Sequence, residues 1–394
     1  MHFLGLNLKQ MKNPFFIILF TTSLFFTFGC REENRNPTTE NIKPSLLQVG
    51  VYNGNGASAV CVIETLEALK IDKGIEGIGV SPSDIQNGVL NGLDVLIFPG
   101  GSGSKEYNSL GQASEKLVKE FAAEQGKGIV GICAGGYLFV TTEGYPSLEL
   151  IKAGNYREHY NRGRGLIGFE LTPEGKKIFP ELKNQDTVFV QYYDGPIYNV
   201  FEPESMDILG KITTDIATHN DDPRGLTPGK PAFLTSHYGK ARVFVSVGHP
   251  ESTPGMRWIV PRMARWAGNR ELISYDKAVV RPEINNKEIL YFPEQKKFEK
   301  ENFWNLFHED DSEIIKAIDN LYSIRSRPSI RWTIGLLRHN SPEVRLAAAN
   351  YLLTTEYTHA IPDVMSAMHN EQDAGTKKEL KIIFHKLQAI SNEQ

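Results

Sequence analysis

The sequence predicts an α/β protein: a doubly wound, mostly parallel sheet followed by a small all-α module. Three observations carry that expectation. Apolar runs alternate with helical periodicity from Leu46 to Ala267. Glycine-rich loops at 53–56, 99–103 and 131–136 each follow an apolar run, at the strand ends where parallel sheets gather ligands. Beyond about Asn302 the pattern turns purely helical.

A chain of 394 residues is long enough for two cores. Its 40% hydrophobic and 23% charged residues are those of a globular protein, and a net charge of -4 leaves no basic footprint, so no nucleic-acid partner is expected. Lys9 and Lys12 precede an apolar run from Pro14 to Gly29, the layout of a signal peptide over 1–30. Gly29-Cys30 resembles the lipobox of bacterial lipoproteins, which implies lipidation of Cys30 and a lipid-anchored protein of the cell envelope, on the outer membrane or a periplasmic face. Cleavage elsewhere, or an uncleaved anchor, is the alternative. Residues 31–44 are polar and too poor in apolar surface to fold, and read as a flexible tether.

The α/β domain is expected over 45–268. Leu46 to Tyr52 is its first strand, and Ala59, Val60, Ile63, Leu66 and Leu69 mark the helix after the 53–56 loop. Ile75 to Val80 is a second strand, and Ser81-Pro82-Ser83 opens a short helix from Asp84 to Leu90. Leu93 to Phe98 is apolar enough to be buried on both faces and runs into Pro99-Gly100-Gly101-Ser102-Gly103. That loop has neither the Walker lysine and hydroxyl nor dinucleotide spacing, so no nucleotide cofactor is expected. A helix from about Ser114 to Gln125 leads to the strand before Cys133.

From Tyr145 to Pro231 the periodicity weakens, with alternating stretches at Gly165 to Leu171 and Thr187 to Tyr193 that suggest an antiparallel insertion. Tyr156, Arg157, His159, Tyr160, Arg162 and Arg164 form a basic-aromatic cluster that reads either as the lining of a pocket or as a solvated loop. Tyr193 and Asp194 end a strand in a turn suited to a crevice wall. Ala232 to Ser236 and Ala241 to Val247 form a hairpin about Gly239, and a helix from Pro254 to Ala267, kinked at Pro261, closes the domain. Residues 269–301 read as a linker or peripheral extension. The phrase at 340–349, with Pro342 at a helix start, resembles a HEAT-type helical repeat, and the 302–394 module would then dock a protein partner or pack against the first domain.

The chemistry centres on Gly131-Ile132-Cys133-Ala134-Gly135-Gly136-Tyr137, a strand, a sharp turn and a helix. G-x-C-x-G is the thiol form of a nucleophile elbow, in which glycines remove side chains that would collide and the helix start favours a thiolate. A thiol nucleophile needs a base and the base an orienting acceptor. His249 and Glu251 offer both, because side chains two apart in extended chain share a face and Pro250 favours that geometry. Backbone N–H groups of Gly101 and Ala134 would meet an oxyanion. Asn53, Gly100, Tyr137, Tyr193 and Asp194 are the further pocket candidates. No metal-ligand set is apparent. Cys61 is the remaining thiol; it either pairs with Cys133, which would silence it, or both are free.

G-x-C-x-G-G, an upstream Phe98-Pro99-Gly100-Gly101 and a late His249-Pro250-Glu251 resemble the class I glutamine amidotransferase-like superfamily, with its flavodoxin-like sheet. Tyr52-Asn53-Gly54 and Tyr193-Asp194-Gly195-Pro196 make the stretch from Ser45 to Gly268 most similar to the amidotransferase-like domain at the N-terminus of some biotin-protein ligases. The resemblance implies Cys133 as nucleophile, His249 as base and Glu251 as its partner. The amidotransferases carry a glutamine four residues after the nucleophile, where this chain has Tyr137, so the resemblance implies neither glutamine hydrolysis nor biotinylation. The expected function is thiol-dependent hydrolysis or acyl transfer on an amide-type small ligand; the alternative is a ligand-binding or scaffold protein that keeps the fold without turnover.

Overall fold

Five strands form the parallel half of the sheet: β1 (Leu47–Tyr52), β2 (Ile75–Val80) at the exposed edge, β3 (Val95–Phe98), β4 (Gly128–Ile132) and, later in the chain, β11 (Ala241–Ser246). Val49, Val51, Leu96, Ile97, Val130 and Val245 are fully buried, as expected of strands covered on both sides. This is a computed structural model, and it describes residues 45–156 and 163–391. The signal segment with Cys30, the 31–44 tether, and Arg157, His159, Tyr160 and Arg162 lie outside the described residues.

Helices α1 (Ala59–Leu69), α2 (Pro82–Gln86), α3 (Gly103–Phe121) and α4 (Ala134–Phe139) make the crossovers. A capping box between Ser81 and Asp84 starts α2, which ends well short of Leu90 and gives way to a 3-10 turn. The third helix differs from expectation because it begins at Gly103 and breaks at Gly111 (φ 70°, ψ 161°), so only its second half shows an uninterrupted helical period.

The antiparallel half holds β6 (Arg164–Leu171), β7 (Val188–Tyr193), β9 (Met206–Ile212) and β10 (Pro231–Tyr238), while β5 (Ala153–Asn155) and β8 (Tyr198–Val200) pair apart. Helix α5 (Pro173–Ile178), capped by Thr172, lies between β6 and β7. The main sheet runs β6, β9, β10, β11, β4, β3, β1, β2, with β7 also paired to β6. Strands β10 and β11 form the expected hairpin, and β11 then pairs in parallel with β4, Ser246 opposite Ile132. Nucleophile and base candidates therefore leave neighbouring strands at the same edge. Helix α6 (Ile259–Ala267) starts later than predicted, which puts Pro261 in the first turn, where a missing N–H costs nothing; the expected kink does not arise.

Residues 269–301 are an extension of the domain: β12 (Ile289–Leu290) joins β6, and Val279 and Tyr291 are buried. Six helices follow, α7 (Pro293–Asn305), α8 (Asp311–Ser323), α9 (Ser329–Leu336), α10 (Pro342–Thr354), α11 (Ile361–Asn370) and α12 (Ala374–Ser391). They close a second apolar core around Leu321, Ala348, Leu352 and Leu380. Polar ties fasten it to the first: Arg257 donates to Glu356 O at 2.6 Å and Thr358 Oγ1 at 3.0 Å, and Tyr291 Oη donates to Ile324 O at 2.7 Å. Hydrogen bonds that are buried and charged are each worth about 1.5–3 kcal/mol.

The elbow depends on backbone contact between α4 and β3. A Cβ on Gly135 would stand 2.1 Å from Phe98 O. We expect Gly135→Ala to lower unfolding free energy by about 1–3 kcal/mol, read by chemical denaturation, and an unchanged midpoint would mean that α4 is not seated on β3 as described.

Candidate active site

Cys133 leaves β4 with φ 51° and ψ −101°, a conformation that a residue with a side chain adopts only under constraint. Its N–H donates to Ser246 O at 2.9 Å, Gly135 N donates to Pro99 O at 3.1 Å, and the thiol donates to Tyr193 O at 3.5 Å. The side chain is thereby turned to the crevice beyond the sheet edge. Cys133 and Cys61 are both free, so the pairing that would silence the elbow is not formed.

His249 follows β11 and is held by its backbone: its N–H donates to Gln191 O at 2.7 Å and Thr253 Oγ1 donates to its carbonyl at 2.7 Å. His249 Nδ1 donates to Glu251 Oε1 at 2.7 Å, with both residues buried. The pairing predicted from spacing is present, but the geometry differs. Residues 250–252 form a 3-10 turn instead of extended chain, and that turn folds Glu251 back under the imidazole. With Nδ1 committed, Nε2 is the ring nitrogen left for Cys133, and it has no other hydrogen-bond partner. Gly100 permits the approach, since a Cβ there would lie 2.5 Å from His249 Cε1 and 2.8 Å from Cys61 Sγ.

Burial alone would lower the His249 pKa. The charges of Cys133 and Glu251 outweigh it, against opposition from Arg327, and hold the imidazole well above its ordinary value. That direction favours an imidazolium beside Cys133. Gly101 N and Ala134 N, the two amides expected at an oxyanion, donate to no acceptor among the described residues, and both residues border the cavity in front of Cys133.

Two cavities meet at Cys133. One, of about 530 Å³, is walled by Tyr137, Tyr145, Tyr156, Tyr193, Arg164 and Asp194. Its ionic groups are matched internally: Arg164 stacks on the Tyr193 ring at 4.2 Å and pairs with Asp194 at 3.8 Å. Tyr156 and Arg164 thus line a pocket, one of the two readings of their cluster. Tyr137 Oη donates to Asp194 O and Gly195 O at 3.1 Å each, tying the elbow helix to the turn after β7. The other cavity, of about 500 Å³, is bounded by Asn55, Ser58, Cys61, His249, Arg327 and Arg331. Asn53 borders neither cavity; it points toward Gly79, and Asn55 takes the place expected of it.

Several site residues were not anticipated. Arg327 and Arg331 come from the helical module, whose pattern gives no sign that it reaches the elbow. Glu64 lies on the buried side of α1 and accepts from Arg327 at 2.5 Å and from Ser252 Oγ. Glu106 sits behind Gly101 with both carboxylate oxygens unpartnered, and burial, with the Cys61 charge adding to it, pushes its pKa up to about 8. Cys61, His249 and Glu251 place ligand atoms within 4.8 Å of one another, but Nδ1 is bonded to Glu251 and the Arg327 guanidinium stands 3.7 Å from Cys61 Sγ, an unfavourable neighbour for a cation.

Residues 47–144 match the family model for the N-terminal part of biotin-protein ligase. The chain is 29% identical over 207 residues to pyridoxal 5'-phosphate synthase subunit PdxT of Thermococcus onnurineus, covering 49% of this chain and 91% of that one. Among solved structures, a ThuA-like protein from Bacteroides uniformis superposes with a TM-score of 0.43 at 13% identity, over 58% of this chain and 94% of its own. The glutaminase domain of Trypanosoma brucei CTPS with bound acivicin gives 0.39 at 11% identity, over 59% and 97%.

Glu106 yields a signed pH prediction. A carboxyl whose folded pKa is raised to about 8 keeps its proton in the folded protein after the unfolded chain has lost it. Its contribution is complete below the unfolded carboxyl pKa and is lost as pH rises through about 8. Glu106→Gln should flatten the fall in stability over that window by up to ~1.4 kcal/mol per pH unit, measured by denaturation from pH 5 to 9. Parallel profiles for the two proteins would contradict it.

Proposed function

We propose that this protein, whose α/β layer is similar to class I glutamine amidotransferase-like domains, is a thiol-dependent amidohydrolase or acyl transferase acting on an amide-type small ligand. One observation carries the reading: a constrained elbow cysteine beside a buried histidine whose Nδ1 is bonded to Glu251 at 2.7 Å. In the proposed reaction the Cys133 thiolate attacks the carbonyl carbon of the amide, and the developing oxyanion meets the N–H groups of Gly101 and Ala134. The imidazolium of His249 gives its Nε2 proton to the leaving amine, and a thioester remains on Cys133. Neutral His249 then takes a proton from water or from a second nucleophile, which releases the acyl group and restores the thiol. Glu251 keeps the imidazole in the tautomer and orientation that both steps need.

Tyr137 bears on the substrate. Its ring fills part of the first cavity and its hydroxyl is spent on two backbone carbonyls. A site so lined suits a flat or apolar group better than a free amino acid side chain.

Alkylation and turnover test the reading together. Cys133→Ala should abolish hydrolysis across a panel of small acyl amides, and His249→Ala should lower it by about 10²- to 10⁴-fold. Iodoacetamide labelling of Cys133 at neutral pH should be several-fold slower in His249→Ala than in the native protein. Identical labelling rates, with no turnover, would point instead to a ligand-binding protein.

We also propose that the protein works at a membrane of the cell envelope, anchored through Cys30. The layout of residues 1–30 supports this. No helix among the described residues is long and apolar enough to cross a membrane. The full-length chain should partition into the detergent phase on phase separation and Cys30→Ser should not; equal partitioning would refute the anchor.

A further inference from the structure

The second cavity is unusual in its charges. Lys105 from α3 and Arg327 and Arg331 from the helical module border it, and no acidic side chain among the described residues does. Arg327 precedes α9 and is 11% exposed at its side chain; Nη2 donates to Glu64 at 2.5 Å while Nε has no protein partner. Glu64, set behind the wall, balances one of the three cations. Arg331 and Lys105 are exposed, and among the described residues no hydrogen bond or ion pair engages either. Two positive charges therefore face the space beside Cys133 and His249 uncompensated. The first cavity contrasts with it, because its arginine and aspartate already pair with one another.

Burying a guanidinium costs desolvation that one carboxylate only partly repays. The planar fork of arginine is also the side chain best matched to a carboxylate. We infer that the second cavity is a carboxylate subsite in which Arg327 and Arg331 of the helical module, with Lys105, hold an anionic group of the substrate while its acyl carbon lies at Cys133. The substrate class narrows to amides that carry a free carboxylate, with their uncharged part in the tyrosine-lined cavity. The helical module then supplies part of the specificity of a site whose chemistry belongs to the other domain. This rests on the thiol chemistry proposed above, and its test separates the two.

The probes are iodoacetate and iodoacetamide, which differ in one carboxylate. Full-length protein is alkylated with each, and the rate of adduct formation at Cys133 is followed by peptide mass spectrometry, which distinguishes it from Cys61. The native protein should favour iodoacetate. Arg331→Gln combined with Lys105→Gln, both at exposed positions, should lower the iodoacetate-to-iodoacetamide rate ratio by about tenfold, equivalent to ~1.4 kcal/mol. Arg327→Gln is made together with Glu64→Gln so that no unpaired charge is left buried, and should act in the same direction. The preference should survive added salt, since a direct contact is screened far less than a diffuse field. An iodoacetate-to-iodoacetamide ratio unchanged by these substitutions, or one that vanishes in salt, overturns the subsite. If that occurs while labelling still depends on His249, the thiol reading stands alone. Loss of His249 dependence with the ratio intact would instead sink the thiol reading and keep the anion site.

Discussion

The backbone of Cys133 occupies a region of conformational space that only its surroundings make tolerable, and much of the α/β layer exists to impose it. Ser246 O holds the amide of Cys133, Pro99 O holds that of Gly135, and α4 lies so close to β3 that no side chain fits between them. Each of these partners comes from a different strand end. The strain is therefore distributed over β3, β4 and β11, which are buried except at Arg242 and have little freedom to relax. What the constraint gains is direction: the thiol faces the crevice and the start of α4, with free amide donors on either side.

The second organising constraint is the treatment of buried charge. His249 Nδ1 and Glu251 Oε1 pair with each other, and Glu64 answers both Arg327 and Ser252, the residue next to Glu251. One carboxylate thus joins the turn that carries Glu251 to the loop before α9. Farther out, Arg257 and Arg281 converge on Glu356, so the two apolar cores are locked by guanidinium groups and not by a broad apolar seam alone. Removing one member of a buried pair of this kind typically costs about 3–5 kcal/mol, which makes the helical module hard to displace.

Much of the elbow half was legible in the sequence because the relevant signals are local. Continuous apolar runs mark strands buried on both faces, glycines mark the turns, and His249-Pro250-Glu251 carries its own spacing. The losses follow from signals that are not local. Arg327 lies nearly two hundred residues from Cys133 in sequence, in a stretch whose helical pattern is satisfied by its own core. Glu106 reads as an ordinary polar helix residue until Gly56 and Gly101 are seen closing over it. Asn53 and Asn55 differ by two positions in a glycine loop, and periodicity says nothing about which side chain a loop turns inward. The antiparallel strands β5, β8 and β9 are short or weakly alternating, and their pairing is fixed by long-range register.

The pairing of Ser246 with Ile132 has a further consequence. The two strands rise together, so His249 stands opposite Cys133 only in one alignment of β11 on β4. A slip of two residues would keep every apolar side chain on its proper face while carrying His249 about 6–7 Å along the sheet. Such a misassembled molecule would bury nearly the same surface and hold an unremarkable thiol. On the thiol chemistry proposed above, reactivity at Cys133 would read out whether the last parallel strand was laid down in the right place.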